Sequence, residues 1–185
     1  MTLLEQLKAY VPYNEQEARD RELMLWCLQN EPDVLTRRNG LAHFTASAWI
    51  VNAQRTKALM AYHNIYQAWS WLGGHADGEG DLLRVALREA AEESGVRSAR
   101  PAGRDIFSLE TLTVDGHEKR GAYVASHLHL NVTYLLEADE NDPLTVKADE
   151  NSGVRWFALA DAPEASTEAW MRERIYRKLN QKLGL

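Results

Sequence analysis

A single cysteine, Cys27, among 185 residues excludes an intramolecular disulfide. No apolar run approaches the roughly 20 residues that a helix needs to cross a bilayer. No N-terminal segment combines a basic flank, an apolar core and a cleavage site. Basic residues never run beyond a pair, and 27 acids against 21 bases leave a formal net charge of −6. A nucleic-acid polymer or an anionic membrane surface is therefore a poor partner, whereas a small anion held through metal ions is compatible. Internal repeats and low-complexity tracts are missing too. These absences predict a soluble cytoplasmic protein. What is present is enough apolar residue, 45% of the chain, for one sizeable core.

Residues 1–40 read as a helical N-terminal extension, and 41–185 as the main domain. Thr2 with Glu5, and Asn14 with Glu17, each pair a capping side chain with a glutamate three residues on. Pro12 separates the two helices and Pro32 forces a turn. Leu23, Met24, Trp26, Cys27 and Leu28 equip the second helix to dock. In "HFTASAWIV" (43–51), Phe44, Ala46, Ala48 and Ile50 alternate with His43, Thr45, Ser47 and Trp49, which predicts a strand. "KALMAYH" (57–63) is its expected hairpin partner. "QAWSWLGGHADGEGD" supplies a short strand and a glycine-rich loop that runs into a helix, with Asp81 to cap its start and Gly95 to close its end. Strands are expected near 105–114 and 122–137, then a loop at 138–150, a strand around "VRWFAL" and a last helix over 166–182. This order predicts an α/β fold with a mixed sheet between helical layers.

"ALREAAEESGV" (86–96) concentrates acid on one helical turn. Glu89 and Glu93 lie about 40° apart around the axis, with Glu92 about 60° to the other side. Each like-charge pair costs roughly 0.2–0.5 kcal/mol. A solvated face with an Arg88–Glu92 pair would tolerate that. The apolar stripe Leu83, Ala86, Leu87 and Ala90 is expected to pack opposite the acids and hold them in a fixed direction. Several oxygens on a rigid element are what a hard divalent cation needs, and the cation relieves the repulsion.

The stretch "GG-HADGEG-DLLRVAL-REAAEESGV" resembles the Nudix box. Gly74, Arg88, Glu89, Ala90, Glu92, Glu93, Gly95 and Val96 occupy eight of its nine specified positions; Gly80 stands where the first box glutamate belongs. The resemblance implies a Nudix-like α/β/α sandwich that hydrolyses a pyrophosphate bond in a nucleoside diphosphate linked to another moiety. It implies Mg²⁺, with Mn²⁺ as the alternate ion, on Glu89, Glu92, Glu93 and the carbonyl of Gly74. Glu89, Glu93 and Arg88 match catalytic positions. A further acid in several members stands six residues before a tryptophan, as Glu150 does before Trp156; either Glu89 or Glu150 takes the proton from water. The first box glutamate usually supports the box arginine or the outer metal shell, and Glu79 and Asp77 are the nearby acids able to replace it. Many members are dimers, so a homodimer is implied, with a small nucleotide-type substrate. Two alternatives stay open. "HFTASAWIVN" weakly resembles the diphosphate isomerases of the same fold, although "AWSWLGGHA" lacks their cysteine. A Nudix fold can also serve as a non-catalytic ligand-sensing module.

"SHLHLNVTYLL" alternates strictly, with His127, His129, Asn131 and Thr133 on one face and Leu128, Leu130, Val132 and Tyr134 on the other. His127, His129 and Asn131 are candidate substrate-binding residues, although a solvated outer strand would look the same. Two histidines at i and i+2 can also grip a transition metal, given a third ligand from His43, His63, His75 or His117, and spacing selects none of them. His117, Lys119 and Arg120 lie where they could reach an anion. Trp69 and Trp71 share a face and are expected in the core rather than against a base. Cys27 reads as packing.

Overall fold

Two helices open the chain, α1 (Leu3–Ala9) and α2 (Glu15–Asn30). At Thr2 both halves of the capping box are made. At Asn14 only one is: the Asn14 side chain accepts from the Glu17 amide, but the Glu17 carboxylate turns inward and is fully buried. The spacing that predicts a cap there hides a different task for Glu17, taken up below. Our computed structural model describes residues 1–119 and 121–185, with the backbone alone for Lys119. Arg120 and the Lys119 side chain, two of the anion contacts read from sequence, lie outside the described residues.

The strands that follow are β1 (Ala42–Asn52), β2 (Lys57–His63), β3 (Ala68–Ser70) and β4 (Leu72–His75). After helix α3 (Leu82–Ser94) come β5 (Arg100–Pro101), β6 (Ser108–Val114), β7 (His117–Lys119), β8 (Ala122–Val124), β9 (His127–Ala138) and β10 (Asn151–Ala158). Short α4 (Ala162–Ala165) precedes a π-helical segment, Met171–Tyr176, that continues as α5 (Arg177–Lys182). The last helix thus starts later than expected, because Ser166 ends α4 in an extended conformation.

β1 is central and every residue in it is buried. It runs parallel to β9 from Ala42↔Leu128 to Asn52↔Ala138. β9 is flanked on its other edge by β5 and β6; of its polar stripe, Asn131 and Thr133 are buried and His127 and His129 half-buried. β1 and β2 pair only at Ile50↔Leu59 and Val51↔Ala58. Beyond that they part, and β3 on β2 and β4 on β1 fill the wedge. This bend is what delivers Gly73 and Gly74 to the middle of the sheet.

Alternation in β1 feeds two cores. Phe44, Ala46, Ala48 and Ile50 pack with Leu82, Val85, Ala86 and Ala90 of α3, and the same cluster takes in Leu3, Leu7, Met24 and Cys27. The N-terminal helices are therefore built into the main core, although Trp26 stays about half exposed. Trp49 and Val51 point the other way, to Ile175, Tyr176 and Leu179, with Trp69 and Trp71 packed alongside as expected. The result is an α/β/α sandwich. Among the described residues no helix is long and apolar enough to cross a membrane.

Between these cores, the face of β1, β9 and β6 is polar and dry. Asn131 Oδ1 accepts from Thr45 and Ser47, both at 2.9 Å, while its Nδ2 donates to Glu110 and Thr133. Lys178 Nζ lies 3.0 Å from Glu110 and 3.3 Å from Glu17; Lys182 Nζ lies 3.0 Å from Glu17. Two carboxylates thus meet two ammonium groups. Burial pushes Glu17 up, but the Lys178 charge and hydrogen bonds from Tyr10, the Tyr13 amide and Ser108 outweigh it and hold the carboxyl at about 2.

Candidate active site

Asp81 caps α3 through the Arg84 amide, and Gly95 closes it in the left-handed conformation at φ 74°, both as the sequence implies. The acids are placed differently from expectation. Buried Leu82, Val85, Ala86, Glu89, Ala90 and Glu93 form one continuous stripe, so two of the three glutamates extend the packed face instead of opposing it. Glu92 is turned out, with Lys147 Nζ at 3.5 Å and Arg88 Nε at 3.9 Å. Glu89 and Glu93 sit near the C-terminal end of the helix, where the dipole disfavours anions, and its last turn holds no basic residue. Within the helix Arg88 pairs with Glu89 and Glu92, and among the described residues no ion pair from α3 reaches Glu93.

The sheet and a loop complete the cluster. The Gly73 amide donates to Glu93 Oε2 at 3.1 Å. A side chain at Gly74 would put its Cβ 2.6 Å from the Glu89 carboxyl carbon, so only glycine lets that carboxylate lie on the strand. Asn151 Nδ2 donates to the Glu93 carbonyl at 2.9 Å, and the Thr145 amide to that of Ser94 at 2.8 Å. These bonds tie the 139–150 loop to the end of α3. They bring Glu150 in, so that one oxygen each from Glu89, Glu93 and Glu150 lies within 4.8 Å of the others. Lys147, which the sequence did not single out, stands 3.0 Å from Glu150 as well as near Glu92. Only its spacing of three residues from Glu150 hinted at it.

Glu93 reports the strain of this crowding. Burial, with the charges of Glu89 and Glu150, raises its pKa to about 8 against the opposing Gly73 amide and Lys147. Without a cation, one proton therefore stays in the cluster at neutral pH.

Residues 41–179 match the family model of the NUDIX domain. The chain belongs to the NUDIX family. Its fold is similar to that of a C. elegans Ap4A hydrolase, at 21% identity and a TM-score of 0.56 over 76% of this chain and 97% of that one. A NUDIX-family hydrolase from Clostridium perfringens follows at 19% identity and a TM-score of 0.52, over 75% and 97%. A search of curated proteins finds no match.

In this NUDIX domain, neither acid proposed to replace the missing box glutamate is bonded to Arg88. Asp77 forms a two-pronged pair with Arg37 at 2.7 and 2.9 Å. Glu79 accepts from the Asp81 amide and pairs with Arg84. Arg88 instead binds Glu89 directly at 2.8 Å. A Cβ at Gly80 would meet nothing within 4 Å, and its φ is not in the left-handed region. Gly80→Ala should therefore stabilise the domain by about 0.4–1 kcal/mol through the unfolded chain. Gly95→Ala, whose Cβ would fall 2.3 Å from Thr145 Oγ1, should cost about 1–2 kcal/mol or more. Urea unfolding of the two variants checks both signs.

The three candidate substrate residues part company. Asn131 is 1% exposed, with both donors and both acceptor positions engaged inside the protein, and so presents nothing to a ligand. His127 and His129 are half-buried and adjacent, their Nε2 atoms 3.2 Å apart.

Proposed function

We propose that this chain hydrolyses a pyrophosphate bond in a nucleoside diphosphate linked to another moiety, using Mg²⁺, or Mn²⁺ in its place, at Glu89, Glu93 and Glu150. The carbonyl of Gly74 completes the inner set, and Glu92 supports it from the rim. The convergence of three carboxylates on a helix end without basic residues carries this reading. The donor set fits a hard cation: its atoms are all oxygen, and the bare Cα of Gly74 leaves the Glu89 carboxylate against the strand.

When bound, the ion would screen the pyrophosphate charge and acidify the attacking water. The chain's own residues do the positioning. The Gly73 amide orients Glu93. Arg88 occupies one Glu89 oxygen, which leaves the other for the cluster. Glu150 is held by Lys147 on the loop side. Glu89 and Glu150 are the two candidates to accept the water proton. Their glutamine variants separate the roles, since the base alone removes the acidic limb of the pH–rate profile when substituted.

A panel of nucleotide-linked diphosphates assayed for mononucleotide release with Mg²⁺ and with chelator tests the function. Dinucleoside polyphosphates belong in it, because the C. elegans neighbour is an Ap4A hydrolase. Metal-dependent release from at least one member is expected. No release from any member with either ion would transfer the reading to a ligand-sensing module. The proposal includes a homodimer and, at net charge −6, no nucleic-acid polymer as partner; solution mass checks the first.

A further inference from the structure

Five of the six histidines in the chain, all but His63, gather at one end of the β4–β1–β9 face. Pairing sets His43 directly beside His129, and His75 beside Thr45. Residues two apart on a strand share a face, so three neighbouring strands aim imidazoles at one point. Gly74, next to His75, faces α3 and Glu89, so the histidines lie across the sheet from the carboxylates. We propose that His43, His75 and His129 form a second metal site, for a first-row transition ion of the Zn²⁺ type.

Geometry is the first support. One ring nitrogen from each of the three lies within 4.8 Å of the others. The ring centroids are 5.2 Å (His43–His75), 5.0 Å (His43–His129) and 4.9 Å (His75–His129) apart. Ligands at about 2.0–2.1 Å from a tetrahedral ion stand roughly 3.3 Å from one another.

An independent observation points inward. His43 is only 4% exposed. Its Nδ1 lies 3.0 Å from the Asn39 carbonyl, which must accept, so the proton is on Nδ1. Nε2 is then a lone pair, and it is buried without a hydrogen-bond partner. An unsatisfied buried acceptor costs about 1–3 kcal/mol. A histidine that donates one N–H to a backbone carbonyl and presents the other nitrogen bare is how a metal ligand is normally held. His127 lies beside the three but is not bare: its Nδ1 is 2.9 Å from the Ala125 carbonyl, and its Nε2 accepts from His129 Nε2 at 3.2 Å, a proton that an ion on His129 would displace. A three-histidine site leaves the fourth position to water.

The two clusters differ in kind. Imidazole nitrogen selects zinc, cobalt, nickel or copper, whereas the carboxylates on α3 select magnesium or manganese. That difference makes the proposal testable apart from the hydrolase reading. Metal-stripped full-length protein, kept in excess Mg²⁺, is titrated with Co²⁺ and then Zn²⁺. One equivalent of Co²⁺ should give the intense visible bands of a four-coordinate ion, and Zn²⁺ should displace it. His129→Gln and His75→Asn, both at half-buried positions, should weaken Co²⁺ binding by more than about 100-fold. Glu93→Gln should leave it unchanged. His43→Gln is added with circular dichroism as a folding check, and the other two variants decide the matter if it does not fold. A pale six-coordinate spectrum, binding indifferent to both histidine variants, or binding abolished by Glu93→Gln would each overturn the site.

Discussion

Glu93→Gln should cut turnover by at least about 100-fold while making the metal-free protein more stable than wild type at pH 8. Both halves come from the same carboxylate. Glu93 is 7% exposed, anchored by the Gly73 amide, and adjacent to Glu89 and Glu150. Its ionised form is the one a cation would bind, and glutamine cannot supply that charge. In chelator, however, the charge is a burden. The folded-state pKa is raised from 4.5 to about 8, chiefly by burial. The folded protein therefore holds a proton that the unfolded chain releases above about pH 4.5. Stability is greatest below that value and falls as pH rises to about 8, by at most about 1.4 kcal/mol per pH unit for one proton. Thermal melts in chelator from pH 5 to 8 should show this decline in wild type, a flatter profile in Glu93→Gln, and recovery of wild type on adding Mg²⁺. Wild-type-like turnover in the variant at matched Mg²⁺ would sink the metal assignment.

Lys178→Met should lower stability by about 3–5 kcal/mol, the usual cost of stripping one partner from a buried ion pair. Lys178 is 3% exposed and serves both Glu17 and Glu110, themselves fully buried. Its loss leaves two carboxylates to Lys182 alone. The double variant Lys178→Met with Glu110→Gln should regain part of the loss, since removing both partners is far cheaper than removing one. Urea unfolding measures each; a cost below about 1 kcal/mol for the single variant would contradict the network. Acid probes it as well. Glu17 is held at about 2 in the folded state, so the stability it contributes is complete above about pH 5 and is lost as pH falls towards 2. Truncation of residues 1–38 removes Glu17 together with Leu3, Leu7, Met24 and Cys27 from the shared core. That protein should not hold a stable fold.

Local signals were dependable where the physics is local. The capping box at Thr2, the cap at Asp81, the left-handed Gly95 and the alternation of β1 depend on neighbours a few residues away, and all appear in the structure. The fixed spacing from Gly74 to Val96 determined the family for the same reason, since one strand, one loop and one helix carry it. Only the tertiary structure decided which acids converge. Helical angles placed Glu89, Glu92 and Glu93 on one stripe, but packing against the sheet buried two and left Glu92 at the rim, because a helix of 13 residues has only one face to give the core. Glu150 came in through loop contacts that no spacing encodes. Strand order had the largest effect. A parallel neighbour for β9 turned an apparently solvated stripe into a buried network at Asn131 and gathered histidines from positions 43, 75, 127 and 129. Register between strands is set by a whole sheet closing on its core, and residues 86 positions apart cannot announce that they will face each other.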